Sequence, residues 1–209
     1  MTASEGGLGS AAGGSRAEEQ RQRILDAAVT IFSRRGFDAT SMNEVAAAVG
    51  LRKPSLYHYV RTKDELLVAI YERVLDESLR SAHAIVAAAP TPLDAVRELI
   101  VERVAYTCEH RDLLKVCFEE ESALPAELAD SLLTRRRAYE TVVLGAVEAH
   151  LAATGRTLGM ASRAYVNTCL GAANWVYKWY HPTGSRTPRE LGGEVAAVLL
   201  PALGGSPGS

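Results

Sequence analysis

The chain is 209 residues long, 47% hydrophobic and 23% charged, with a formal net charge of −2. That is enough apolar residue for a packed core, and the length suits one domain of ordinary size or two small ones. No apolar run approaches the roughly 18–20 residues of a membrane-spanning helix and the first residues carry no signal-peptide pattern, so a cytoplasmic protein without a membrane partner is expected.

Residues 1–15, rich in Gly, Ala and Ser, read as a disordered arm. Ile24, Leu25, Ala28, Ile31 and Phe32 then recur at helical spacing until Gly36 stops the segment. Helix starts are marked further on. Ser41 to Glu44, Thr62 to Glu65 and Thr187 to Glu190 each match a capping box, in which a hydroxyl takes one orphan N–H and a carboxylate reaches back for another. Thr91-Pro92 and Thr187-Pro188 put proline where the first helical N–H needs no partner. Strand signals are nearly absent, so the spacing predicts an all-α fold of about nine helices. The Gly/Ser/Pro tail, 204–209, reads as disordered.

Residues 41–60 have the pattern of a helix-turn-helix. Val45, Val49, Leu51, Leu56 and Tyr59 are apolar, Ala46 is small where a second helix crosses, and Gly50 can take the positive φ of a sharp turn. Pro54 disfavours helix at Lys53, so the second helix is expected to begin at Pro54. Arg52, Lys53 and Ser55 then gather at its tip, the part of a recognition helix that meets base edges in the major groove. Tyr57, His58 and Lys63 lie where they can contact phosphates. Tyr59 falls on the apolar side and reads as packing. Charge agrees once it is split: residues 16–65 carry nine Lys/Arg against seven Asp/Glu, and residues 52–63 carry four cations and no anion. A basic patch on an acidic body suits the phosphate backbone whatever the total.

Over residues 20–75 the chain resembles the DNA-binding domain of TetR-type transcriptional regulators. The resemblance rests on GF-x-AT-S at 36–41, VG-L-x-KPSLYHY-V at 49–60 and TKDELL at 62–67. It implies a homodimeric repressor on double-stranded operator DNA, with an N-terminal domain over 16–65 and a ligand-binding and dimerisation domain over 66–203. It also adds Thr40, Ser41 and Pro54 to the DNA-contacting set. Two positions depart from the family pattern: Val60 stands where an aromatic is common, and Leu51-Arg52 where valine and serine are common. A helix over 63–88 would join the head to the ligand pocket as a lever.

The three cysteines, Cys108, Cys117 and Cys169, have no Cys-x-x-Cys spacing and read as small core residues. His110, near Cys108 and Glu119–Glu121, has no metal-type spacing around it. In a helix over about 158–180, Ala161, Tyr165, Thr168, Ala172, Trp175 and Trp179 form one band. Val166, Leu170, Ala173, Tyr177 and Tyr180 form another about 140° away, with Arg163, Asn167, Asn174 and Lys178 in a stripe between. A helix apolar on two faces must bury both, one on its own domain and one on a second subunit. The last helix, Leu191 to Leu203, repeats the pattern and is bent or ended by Pro201.

Residues 173–190, ANWVYKWYHPTGSRTPRE, resemble the TetR subgroup that senses CoA thioesters of fatty-acid, phenylacetate or steroid catabolism. That resemblance implies a ligand site including Asn174, Trp175, Lys178, Trp179 and Arg135. The same aromatics at helical spacing also read as core, and Arg135–Arg137 as a solvated face. No nucleophile–base pair, metal cluster or phosphate loop stands out, so neither enzyme activity nor a cofactor is expected.

Overall fold

The structure, a computed structural model, describes residues 9–204, with side chains from residue 16 onward. Among the described residues it is all-α: nine helices, two short 3-10 turns and no strand. The helices are α1 (Gly9–Arg35), α2 (Met42–Ala48), α3 (Lys53–Leu56), α4 (Lys63–Ala88), α5 (Pro92–Glu109), α6 (Arg111–Glu119), α7 (Ala126–Thr154), α8 (Ser162–Trp179) and α9 (Pro188–Leu199).

Helix α1 begins at Gly9, so the disordered arm expected over 1–15 is corrected for residues 9–15. No proline separates them from the amphipathic part of α1, and extending a formed helix needs no new nucleus. Residues 1–8 and the tail beyond Gly204 lie outside the described residues. Both capping boxes at Ser41–Glu44 and Thr187–Glu190 form as expected. The third is only half present: Thr62 accepts from the Glu65 N–H, while the Glu65 carboxylate takes the Arg61 N–H at 2.8 Å. Pro201 does end the last helix, which closes as a 3-10 turn over Leu200–Leu203.

The head packs α1 across α2 and α3 around Ile24, Ala28, Phe32, Val45 and Leu56, all buried. Gly50 takes φ +71° between α2 and α3, a conformation that costs a side-chain-bearing residue. The core does not stop at the head. The same apolar cluster runs into α4 through Leu66, Ile70 and Val74, and into α6 through Leu113, Leu114 and Cys117. Two polar ties reinforce it: Lys115 Nζ donates to the Ser33 carbonyl at 2.6 Å, and the Phe37 N–H donates to Glu120 Oε1 at 3.0 Å. The division expected at 65/66 falls inside α4, which runs without a break from head to body.

In the body, α5 is central, buried through Val96, Leu99, Ile100 and Val104 and packed against α7, α8 and, most extensively, α9. The α5–α9 contact is close because α9 presents a glycine. A Cβ on Gly192 would lie 2.7 Å from the Val101 carbonyl oxygen and 2.9 Å from its Cα, both backbone atoms that cannot swing away. Gly192→Val is therefore expected to lower the unfolding free energy by about 3 kcal/mol, the upper range of overpacking. Gly145→Ala, a helical site with open space around it, is expected to raise it by up to about 1 kcal/mol. Urea titration of the two variants checks both signs.

Candidate nucleic-acid interface and ligand cavity

The tip of the head is built as a presentation surface. Arg52 is extended (φ −78°, ψ 149°) as the N-cap of α3, and α3 starts at Lys53 with Pro54 second, one residue earlier than expected. The single helical turn continues as further turns, with the Tyr57 N–H bonded to the Lys53 carbonyl and the Val60 N–H to that of Leu56. Buried Leu56 and Val60 pin this segment to the core, so Val60 packs as an aromatic would. Tyr59 packs on the same core. Arg52, Lys53, Pro54, Tyr57 and His58 are exposed, and Ser55 is half-buried. Lys53 Nζ stands 5.9 Å from the Tyr57 ring centroid. Among the described residues Arg52, Lys53 and Arg61 have no carboxylate within 4.0 Å, since every ion pair involves other groups. Unneutralised cations on a rigid tip are what phosphate binding needs.

Three residues expected at the DNA are engaged within the fold. Thr40 is 4% exposed and its hydroxyl donates to the Gly36 carbonyl at 2.8 Å, so it holds the α1–α2 link. Ser41 is exposed, with its hydroxyl donating to Glu44 Oε2 at 2.9 Å. The Ser41 N–H and hydroxyl hold the Glu44 carboxyl below its ordinary range. Lys63 Nζ donates to the carbonyls of Phe37 (2.7 Å) and Asp38 (3.3 Å) and lies 4.2 Å from the Phe37 ring centroid. It clamps the α1–α2 link to the start of α4.

A cavity of about 560 Å³ lies in the body between α4, α6, α7 and α8, with Arg103 of α5 reaching its wall. Its apolar wall includes Leu75, Leu114, Phe118, Leu132 and Leu170, and its polar wall Ser78, Arg103, Asn167 and Asn174. Lining residues that are also exposed, among them Phe118, Leu133 and Arg136, mark its mouth. Arg136 there pairs with Glu140 at 3.1 Å and Glu121 at 3.8 Å. Burial pushes the Tyr71 and Tyr139 phenols above their ordinary range and the Cys117 thiol up to about 12. All three cysteines are buried and free.

Of the expected ligand residues, Asn174 lines the cavity; Arg135, Trp175, Lys178 and Trp179 do not. Asn167 and Asn174 of the polar stripe of α8 line the cavity, Asn167 while itself exposed, and Trp175 is turned 100° from Asn174, out to 59% exposure with Trp179 at 48%. Lys178 lies one turn beyond Asn174, where it bonds Glu119 and covers the Tyr177 ring at 5.1 Å. Arg135 braces α7 on α4 through Asp76 and Glu72, leaving its neighbour Arg136 at the mouth. Sequence reasoning missed Arg103. The available signal was a cation on the buried stripe of α5, in register with Val96, Leu99 and Thr107.

A helix-turn-helix head with an uncompensated basic tip, coupled through a shared core to a helical body with a cavity, defines a DNA-binding regulator. Residues 24–70 match the family of bacterial regulatory proteins of the tetR type, and residues 89–203 match the tetracyclin repressor-like C-terminal domain. The chain belongs to the TetR family; it is a transcriptional regulator and not an enzyme. It is 24% identical to the transcriptional repressor KstR2 of Mycolicibacterium smegmatis over 93% of this chain and 95% of that protein. The fold is similar to the ketosteroid transcriptional regulator KstR2 of Mycobacterium tuberculosis, with a TM-score of 0.79 at 19% identity over 87% of this chain and 93% of that one. It is also similar to AibR in complex with isovaleryl coenzyme A and operator DNA, with a TM-score of 0.77 at 23% identity over 87% and 98%.

Base reading and phosphate contact separate by mutation. Arg52→Ala is expected to cost about 1–3 kcal/mol at particular base pairs, whereas Tyr57→Phe should weaken all DNA sequences alike. Anisotropy against a set of single-base operator variants measures the difference; a flat response to Arg52→Ala removes that residue from base reading.

Proposed function

We propose that the chain acts in the cytoplasm as a homodimeric repressor that leaves a palindromic operator when a small molecule fills the body cavity. The observation that carries this is the shared core. Leu114, Cys117 and Leu132 belong at once to the apolar cluster that holds the head and to the cavity wall. Tyr71 and Val74 of α4 do the same, and the Tyr71 hydroxyl is bonded to the Cys117 carbonyl. A ligand that separates α4 from α6 must therefore move the base of the head. It releases DNA to the extent that it binds that arrangement more tightly than the DNA-bound one.

Two recognition tips about one helical turn of DNA apart need a second copy of the chain. Helix α8 supplies the surface: Ala164, Thr168, Ala172, Trp175 and Trp179 form one exposed band, while Tyr165, the member predicted with them, turns inward to bond the Leu199 carbonyl. On α9, Val198 is 78% exposed.

The finer reading of the effector is an acyl-CoA-type thioester, its acyl body in the cavity and its phosphates outside, beside Arg136 at the mouth. The isovaleryl coenzyme A complex of AibR, a protein similar in fold, supports that class. Anisotropy on DNA upstream of the protein's own gene, with free acids, free CoA and acyl, aryl and steroid thioesters added in turn, tests both levels. Release by thioesters alone supports the finer reading. Release by a protein partner and by no small molecule would sink the effector reading while leaving the DNA-binding assignment in place.

A further inference from the structure

Arg103 of α5 is 9% exposed, yet no carboxylate lies within 4.0 Å of it among the described residues. Its hydrogen bonds go to neutral groups: Nε donates to Asn174 Oδ1 at 2.6 Å, and Nη1 to Ser78 Oγ at 2.9 Å. The rings of Tyr106 and Tyr139 flank it at 5.9 and 5.8 Å. Carboxylates nearby are committed elsewhere. Glu77 accepts from the Tyr106 hydroxyl at 2.7 Å and from Arg73 Nε at 3.1 Å, and Glu102 takes Arg189 at 3.4 Å.

A guanidinium has five N–H donors, and Nη2 bonds nothing among the described residues. Nη2 is also absent from the sealed, unsatisfied side-chain atoms, of which Gln20 Nε2 is the sole case among the described residues. It must then reach open space. Arg103 lines the cavity and also a cleft of about 20 Å³ beside Glu77 and Glu102, and of the two only the cavity has room for an organic anion. A buried positive charge with spare donors and no counter-ion is costly unless an anion joins it.

We infer that Arg103 is the anchor for a carboxylate carried into the cavity on an apolar body, making the effector an organic acid recognised through its buried end. This rests on reading the cavity as the effector site. The head group bonds the free Nη2–H groups, a charge-assisted contact geometrically suited to a planar carboxylate. The aliphatic or alicyclic remainder meets Leu75, Leu132 and Leu170. In a thioester effector the same anion is a second carboxylate on the acyl group. The anchor also reaches the lever, because the other side of the guanidinium holds Ser78 of α4.

The test uses the full chain and matched probes: decanoate, 4-phenylbutyrate and cyclohexanecarboxylate, each beside its primary amide, measured by calorimetry on wild type, Arg103→Lys and Arg103→Met. At least one acid is expected to bind wild type about ten- to a hundredfold more tightly than its amide, the range of a hydrogen bond to a charged group. Arg103→Met should abolish that preference and Arg103→Lys keep part of it. Without ligand, Arg103→Met should melt at the wild-type temperature or above, since it removes an uncompensated buried charge. An acid preference that survives in Arg103→Met overturns the proposal. So does the absence of any acid preference in wild type, or a large fall in melting temperature that marks Arg103 as purely structural. Acid binding that depends on Arg103 but never releases operator DNA keeps this anchor and sinks the effector reading. Release that ignores Arg103 does the reverse.

Discussion

Truncating Leu114 to alanine is expected to lower the unfolding free energy by about 2–5 kcal/mol and to weaken operator binding as well. Leu114 is fully buried and stands where α6 meets both the core of the head and the cavity. Losing its side chain leaves a void that α6 can relax into only partly, since Lys115 and Glu120 hold the neighbouring turns to Ser33 and Phe37. The remaining slack lets the head sample other orientations, which is expected to reduce operator affinity by about two- to thirtyfold, or 0.5–2 kcal/mol of coupling. Ile100→Ala is the comparison. Ile100 is also buried but belongs to the separate cluster of α5, α7, α8, α9 and the far end of α4, so it should cost similar stability and leave operator affinity unchanged. Urea titration gives the first quantity, and anisotropy below both unfolding transitions gives the second. Equal operator affinities for the two variants would show that the shared core does not transmit.

What the sequence disclosed follows from the range of the interactions involved. Capping and turn chemistry are local, so Ser41, Gly50 and Thr187 marked their elements correctly, and the turn into α3 was legible to within one residue, α3 starting at Lys53 rather than Pro54. The pattern Thr62 to Glu65 marked the helix start correctly but misplaced one bond by a single residue, because Glu65 can choose between adjacent N–H groups. Lys63 and Thr40 look like surface residues in sequence; Thr40 finds its carbonyl at Gly36 within the α1–α2 link, and the fold of that link back onto α4 supplies the Phe37 and Asp38 carbonyls that engage Lys63.

The cavity was much less legible. Its walls come from α4, α6, α7 and α8, separated by up to about a hundred residues of chain, and no periodicity specifies which faces of distant helices stand apart. The two apolar bands of α8 were read correctly except for Tyr165, which belongs with the inward one. That Trp175 and Trp179 lie outward, and that Asn167 and Asn174 border the cavity, depends on how α8 is rotated against α5 and α7. Arg103 was hidden for the opposite reason: α5 also carries Arg97, Glu98 and Glu102, beside which Arg103 reads as one more solvated charge, and here it is internal.

The outward aromatics carry the second large expectation. Trp175→Glu combined with Val198→Glu is expected to turn a dimer into a monomer and to weaken operator binding by about 10²–10⁴-fold, the avidity lost when two linked half-site contacts become independent. The reasoning is one of burial. Trp175 and Trp179 sit one turn apart on α8 with small residues, Ala164, Thr168 and Ala172, on the preceding turns of the same band. Small residues allow a partner helix to approach, and the two indoles then supply the large apolar area that anchors an interface. Two carboxylates placed there would be desolvated without partners, which is a strong penalty against association and a weak one against the isolated fold, where both positions already face water. Light scattering should therefore report a halved mass while circular dichroism and the melting transition still show a folded helical chain. Half-site affinity on a DNA carrying one arm of the operator should be unchanged, because the tip from Arg52 to His58 is untouched. A double variant that remains dimeric would move the interface off α8 and α9, and one that becomes monomeric yet binds the full operator as tightly as wild type would remove dimerisation from the mechanism.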